Sequence, residues 1–265
     1  MAWSHDHACI IGQGVADLAR VFAVTSGADE RDPTSLPLPP ASIPAAPSRP
    51  PRIGVVQNFF PDLTQPAMQA AVEESAKRLA DAGAEVVNMT LPDEFGLAWP
   101  AWAIVGGSEG YTLSARADAE AGRGVAEPPR PPAHLVQTAS KFGMLGKAAA
   151  PFIPASYYLH AQRLRRWLRE RIDAELSGYD AVLMATAPGP APHGLESSGD
   201  WSLLMPWTHL GNPAVSIPCG LSPEGMPLGL QLVAPNQADE SLLAAAGWCE
   251  DVLGRLPAPQ LTEGM

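Results

Sequence analysis

The chain has 265 residues, of which 46% are hydrophobic and 17% are charged, and its formal net charge is −11. A chain of this length can bury a full hydrophobic core, so a globular protein is expected. The acidic balance disfavours binding to nucleic-acid phosphates, and no run of about 18 apolar residues predicts a membrane span. Three widely spaced cysteines exclude a disulfide framework and a CxxC metal pair, which fits a reducing cytoplasm.

The first third of the sequence predicts a helix, a proline-rich segment and a strand–helix–strand unit. Apolar residues at helical spacing predict a helix over 15–26. Eight prolines within 33–51 exclude a helix or a central strand there, which leaves an interdomain linker or a long surface loop. Strands over 52–57 and 85–91 flank a helix over 67–82, and this arrangement has the length of a βαβ crossover. The sequence therefore predicts an α/β architecture.

The remainder of the sequence predicts further helices and short buried strands. Helices are predicted over 107–121, 134–145, 156–177 and 239–253, and strands over 180–186, 213–219 and 227–233. Ser156 is placed to cap the third of these helices. Five arginines between Arg163 and Arg171 alternate with acidic residues, and we interpret them as a solvated, salt-bridged helix face.

One motif suggests a serine nucleophile. Residues 106–110 fit the G-x-S-x-G pattern of a nucleophile elbow, with Ser108 at its centre. The preceding residues 101–105 are passable as a short strand, and Asp180 and His193 follow in the order that a triad requires. Because the pattern is short and common, and Asp180 begins a strand instead of ending one, we rank a serine hydrolase as a remote alternative.

A second motif suggests a metal site at the N-terminus. His5, Asp6, His7 and Cys9 lie within five residues of one another. Ligands so close in sequence do not complete a tetrahedral site without help from elsewhere, so we favour a flexible polar terminus and assign no metal.

An ordered set of segments resembles the amidase signature family. The strongest are residues 180–192 (DAVLMATAPGPAP), 207–220 (WTHLGNPAVSIPCG) and 225–233 (GMPLGLQLV), and Asp6-His7 and residues 15–19 match the segment after the family's catalytic core. The resemblance covers nearly the whole chain and implies that it corresponds to the C-terminal part of the family's fold. That fold is a mixed β-sheet with helices on both faces. It makes residues 1–265 a single domain with 33–51 as a surface loop.

The resemblance also implies the activity of the family and the absence of the family's catalytic residues from this sequence. The family hydrolyses amide bonds to a carboxylate plus ammonia or an amine, using a lysine that acts through a bridging serine on a nucleophilic serine. These residues would precede the first residue of this sequence. The lysines present are Lys77, Lys141 and Lys147, and no Gly/Ser-rich stretch accompanies them. We therefore assign no catalytic residue and no cofactor, and we expect the chain to be inactive alone.

Four residues are candidates for the wall of an amide-binding pocket. Thr186 and Pro188 begin a stiff loop at the end of a predicted strand, where open α/β sheets bind ligands. The alternative, that this loop is only a turn, has equal weight. Trp207 and Thr208 lie beside the strongest family match, although a tryptophan is more often a packing residue. Gly229, within a predicted strand, is expected to permit a close approach of backbone.

Three interpretations of function remain open at this stage. The chain is an inactive remnant of an amidase, or one half of a split amidase that needs an N-terminal half, or a non-catalytic binding or scaffold protein. A homo-oligomer, in which the partner is a second copy of the chain, is also left open. A small-molecule amide is the expected ligand, and the sequence does not identify it.

Overall fold

The computed structural model describes residues 2–32, 35–44, 47–120 and 152–256. Within these ranges lie five strands and six α-helices. In chain order they are α1 (Val15–Thr25), β1 (Arg52–Val56), α2 (Pro66–Asp81), β2 (Glu85–Met89), α3 (Ala98–Glu120), α4 (Ala155–Leu176), β3 (Ala181–Ala185), α5 (Met205–Leu210), β4 (Ala214–Leu221), β5 (Pro227–Val233) and α6 (Asp239–Leu253). The helix predicted over 134–145 lies outside the described residues.

The five strands form one mixed sheet in the order β2-β1-β3-β5-β4. β1 pairs in parallel with both β2 and β3, whereas β5 runs antiparallel to β3 and to β4. The β1-α2-β2 unit is the crossover that the sequence predicts, so the α/β architecture with a mixed sheet is confirmed.

Helices cover both faces of this sheet. All five residues of the central strand β3 are buried, as in a strand that is covered on both sides. α2 and α6 pack against the strands and against each other, with α1 outside α6, while α3, α4 and α5 form a second packed group. No helix in the described ranges combines the length and apolarity needed to cross a bilayer.

The proline-rich segment is tied to its surroundings by hydrogen bonds in its described parts. The Ala41 backbone N–H donates to the Ser26 hydroxyl at 2.8 Å, and the Ser42 N–H donates to a Glu240 carboxylate oxygen at 2.6 Å. These bonds join the segment to the end of α1 and the start of α6. The prediction of a single domain over 1–265 is not tested by this observation and stays a prediction.

One predicted helix start and one predicted helix cap are wrong. α3 begins at Ala98 rather than at 107, and the supposed strand 101–105 is helical because its apolar residues pack on α4, where Ala101 and Val105 meet Ala161. α4 begins at Ala155 after Pro154, and the structure shows no side-chain cap at that end, so Ser156 does not cap it. The short helix α5 has no counterpart in the sequence prediction.

Candidate functional site

A cavity of about 180 Å³ lies at the carboxyl ends of β1 and β3. The strand order changes direction here, because the chain proceeds from β1 to β2 on one side and later places β3 on the other side. Open α/β sheets bind ligands in the crevice at such a point. The lining residues are Val55, Val56, Gln57, Phe60, Pro61, Thr64, Gln69, Val72, Glu73, Met184 and Ala185.

Hydrogen bonds hold the loop that forms the rim of this cavity. The Thr64 hydroxyl donates to the Phe60 carbonyl at 2.6 Å, and the Gln69 amide donates to the carbonyls of Pro61 (2.7 Å) and Thr64 (3.0 Å). Glu73 is the one ionisable side chain among the lining residues. The cavity thus combines an apolar floor with a fixed polar rim, and its volume of about 180 Å³, below the roughly 300–1,000 Å³ of drug-sized pockets, suits only a small ligand.

The loop that follows β3 lies beside this cavity. The Thr186 hydroxyl is 2.8 Å from the Ser216 hydroxyl, and the Thr186 backbone N–H donates to the Gly229 carbonyl at 3.0 Å. The Pro188 carbonyl accepts a 2.7 Å bond from the backbone N–H of Gln65, directly before α2. The loop therefore connects the end of β3 to the rim loop, next to the lining residue Thr64.

The hydroxyl pair of Thr186 and Ser216 explains why residue 229 is a glycine. A Cβ added at Gly229 would lie 3.2 Å from both hydroxyl oxygens, closer than side-chain contacts ordinarily allow. A close approach does occur at this glycine, but the approaching groups are side chains, whereas the sequence predicts an approach of backbone. Ser216, the β4 residue whose hydroxyl meets Thr186, has no signal in the sequence that would have identified it.

Trp207 and Thr208 lie on α5, away from the cavity lining. Trp207 is 1% exposed and stacks on Phe60, with ring centroids 5.8 Å apart and planes 6° apart. It also packs on Phe95 at 5.1 Å. Because Phe60 lines the cavity, Trp207 supports the cavity wall from behind, and Thr208 beside it is half-buried.

A buried polar cluster forms where the N-terminus meets α3, α4 and α5. His5 is 4% exposed and His209 is 0% exposed, and His5 Nε2 lies 2.9 Å from His209 Nδ1. The Ser4 backbone N–H and hydroxyl donate to the two carboxylate oxygens of Glu109 at 3.0 and 2.7 Å. The interpretation of residues 5–7 as a flexible terminus is therefore wrong at His5, because these tertiary partners hold it in place.

Two of the five arginines on α4 belong to this cluster. Arg165 is buried and donates to the carbonyls of His209 and Ser4, and Arg169 donates to the Leu210 carbonyl at 2.6 Å. The solvated face predicted for this run is wrong for these two, because they satisfy carbonyls at the end of α5. It is correct for Arg166, which pairs with Glu170 at 3.3 Å on the exposed side.

Burial keeps both imidazoles of this cluster neutral. Loss of hydration, with the positive charge of Arg165 next in effect, lowers the pKa of His5 to about 3. Loss of hydration, then His5 and Arg165, lowers the pKa of His209 to about 2. Among the described residues no group of three or more His, Cys, Asp or Glu side chains is placed to hold a metal ion.

The serine-elbow alternative is wrong. Ser108 lies in the interior of α3, and its hydroxyl donates to the Ile104 carbonyl at 2.8 Å. An elbow requires a strand before the serine, and this serine has a helix on both sides. Asp180 accepts from the Arg52 backbone N–H at 2.6 Å, at the amino end of β1 and opposite the cavity.

Comparison with known proteins identifies the family. A family model described as Amidase matches residues 1–243. A glutamyl-tRNA(Gln) amidotransferase subunit from Synechococcus sp. (strain RCC307) is 34% identical over 93% of this chain and 56% of its own length. The corresponding protein of Salinispora tropica is 30% identical, over 93% and 55%. The chain therefore belongs to the amidase family, and it spans about half the length of the curated relatives that it matches.

Solved structures agree with this fold. A chain from a vestigial protein complex, described for the origins of an s-triazine catabolic enzyme, superimposes with a TM-score of 0.68 at 25% identity, over 90% of this chain and 51% of that one. A bacterial aryl acylamidase of the amidase signature family superimposes with a TM-score of 0.70 at 21% identity, over 90% and 51%. The second likeness supports the fold alone.

Proposed function

We propose that this chain forms the ligand-binding crevice of an amidase and that hydrolysis requires a nucleophile-bearing segment which its 265 residues do not contain. The observation that carries the proposal is the cavity at the carboxyl ends of β1 and β3, in a chain of the amidase family. The supplied segment is either joined to this chain in a longer protein or belongs to a partner chain that is the other half of a split amidase.

In this proposal the catalytic residues belong to the supplied segment and not to this chain. The supplied segment brings the serine nucleophile, the bridging serine and the lysine, and an amide is converted to a carboxylate plus ammonia or an amine. Within this chain Lys77 is exposed on α2, and Ser108 is hydrogen-bonded inside α3. Lys141 and Lys147 lie outside the described residues. These placements support the expectation that the chain alone does not turn over an amide.

The contribution of this chain is the wall and floor of the site. Thr186 and Pro188 form the wall beside the rim, while Trp207, with Thr208 beside it, holds Phe60 in position from behind. A neutral small-molecule amide suits the apolar floor and a polar rim that carries a single carboxylate, Glu73, among the lining residues. The proposed compartment is the cytoplasm.

A reconstitution experiment tests this proposal. The purified chain is assayed for ammonia release from a panel of small amides, alone and with the N-terminal segment of the Synechococcus relative, which is 34% identical over the shared region. We expect release only in the mixture, and loss of that release when the nucleophilic serine of the added segment is replaced by alanine. Release by the chain alone would overturn the proposal.

A non-catalytic binding protein is the second candidate. It is supported by a cavity whose lining residues lie on β1, on β3, in the rim loop and on α2, so that part of a ligand site is present in this chain. This candidate predicts amide binding by the chain and no ammonia release with the N-terminal segment present. Ammonia release from the mixture would reject it.

A further inference from the structure

The buried pair of His5 and His209 has no role in the proposed hydrolysis. The two imidazoles are 204 residues apart in sequence, and they meet because residues 2–5, the N-terminal strap, lie in a groove between α3, α4 and α5. The His5 ring also stacks parallel to Trp102 of α3, with centroids 6.1 Å apart.

Addition of a proton to either ring would destabilise the buried position of this pair. Two neutral imidazoles carry one N–H each, and one of these N–H groups makes the 2.9 Å bond between the rings. The outer nitrogens, His5 Nδ1 and His209 Nε2, are buried and have no hydrogen-bond partner among the described residues. A third N–H would therefore be buried without an acceptor, together with a positive charge, and both are costly.

The charged groups around the pair do not neutralise such a charge. α4 places Arg165 beside the rings, with Arg169 one turn further on, and both are cationic. The Glu109 carboxylate of α3 accepts from Ser4, from Tyr158 (2.8 Å) and from Gln162 (3.2 Å) and, among the described residues, makes no hydrogen bond to either ring.

The strap's own ionisable neighbours are also engaged. The Asp6 carboxylate accepts from the Ala2 backbone N–H at 3.1 Å, and the His7 ring contacts the His5 carbonyl at 2.6 Å. The Tyr158 hydroxyl of α4 donates to Glu109, so it remains neutral and supplies no compensating charge. The net field at the pair therefore opposes protonation.

Release of the strap would expose a second set of buried groups. Ser4 lies between two opposite charges, because its N–H and hydroxyl bind Glu109 while its carbonyl accepts from Arg165. Arg165 in turn binds the His209 carbonyl at the end of α5. Displacement of the strap therefore removes contacts that fix α5, whose Trp207 supports the cavity wall at Phe60.

We propose that the N-terminal strap is an acid-released latch. Protonation of the His5–His209 pair displaces residues 2–5 from the groove, and this opens the Glu109–Arg165 cluster and loosens α5. The seated strap excludes protons, whereas the released strap binds them at the ordinary histidine pKa of about 6.5. The seated state therefore loses stability as the pH falls below about 6.5, by about 30-fold at pH 5 for each ring that becomes protonated.

Hydrogen exchange measured by mass spectrometry tests this latch. Protection of the strap amides is compared at pH 7.5 and pH 5.0, after correction for intrinsic exchange, with α6 as the internal reference. We expect strap protection to fall at least about 30-fold in the wild-type chain and to lie below that of α6 at both pH values, because the strap is released before the chain unfolds. In His5→Leu/His209→Leu the strap should stay protected at both pH values, because apolar groups of similar size replace both partners. The exposed His160→Gln variant is the control and should behave as wild type.

A second measurement keeps the inference falsifiable if the double variant does not fold. Imidazole NMR signals of the wild-type chain report protonation of each ring directly. Titration of both rings together with the loss of strap protection supports the latch. Titration of His5 or His209 near pH 6.5 with the strap still protected would overturn it. Equal loss of strap protection in the double variant and in wild type would overturn it too.

Discussion

Replacement of Trp207 by alanine should be among the most destabilising single changes in the chain. The side chain is 1% exposed, and its ring packs on Phe60 at 5.8 Å and on Phe95 at 5.1 Å. A buried tryptophan removes about 150–250 Å² from water, which at about 25 cal/mol per Å² gives about 4–6 kcal/mol. Large aromatic-to-alanine changes in cores cost about 3–5 kcal/mol. We therefore expect a loss of about 4 kcal/mol in the free energy of unfolding.

Trp207→Phe should be much milder. Phenylalanine keeps a ring against Phe60, and it removes the indole Nε1, a buried donor that has no hydrogen-bond partner among the described residues. Relief of that unpaired donor offsets part of the lost packing, so we expect a cost below about 2 kcal/mol.

Urea unfolding followed by circular dichroism measures both variants, with Trp3→Ala as the matched control. Trp3 is 55% exposed, and its replacement should change the free energy of unfolding by less than about 1 kcal/mol. A cost below about 1 kcal/mol for Trp207→Ala, or equal costs for alanine and phenylalanine, would refute the assignment of this residue to the wall behind the cavity.

Three further predictions concern the remaining polar contacts. Gly229→Ala places a methyl group 3.2 Å from two hydroxyl oxygens, so thermal unfolding should show a loss of about 1–3 kcal/mol, and an unchanged midpoint would contradict the hydroxyl pair. Glu109→Gln keeps one acceptor oxygen but turns the other into an NH2 group that faces the Ser4 N–H, so we expect a loss of about 1–3 kcal/mol in urea, against less than about 1 kcal/mol for the exposed Glu170→Gln. Because burial lowers the pKa of His5 and His209, the unfolded chain binds more protons below pH 6.5, and stability should fall there by up to about 1.4 kcal/mol per pH unit for each ring; a flat profile between pH 6.5 and 5 would contradict this.

Elements with a strong local pattern could be predicted from the sequence. β5 and α6 have the predicted bounds, because alternation and helical periodicity mark them and turn residues delimit them. The residues over 101–105 are apolar without a clear period, so they fit a short strand and a buried helix equally well. These residues form a helix because Ala101 and Val105 pack against α4. The sequence does not reveal this tertiary contact.

In the candidate site, too, the sequence identifies some residues and not others. Crowding at Gly229 could be predicted because a glycine within a strand permits close approach, whereas the approaching groups, the side chains of Thr186 and Ser216, carry no local signal. His5 and His209 could not be paired from the sequence, since only the tertiary fold brings them together. Arg165 is misjudged by charge patterning because its partners are backbone carbonyls, which are identical for every residue type.

The central claim is that the crevice at the carboxyl ends of β1 and β3 binds a small amide. Titration of the isotope-labelled chain with butyramide, followed by amide NMR shifts, tests it most directly. The account predicts saturable shifts at Val55, Val56 and Ala185, and their loss in Val72→Trp, which fills the cavity. Absence of shifts in the wild-type chain, or saturable shifts confined to another surface such as the exposed side of α4, would contradict it.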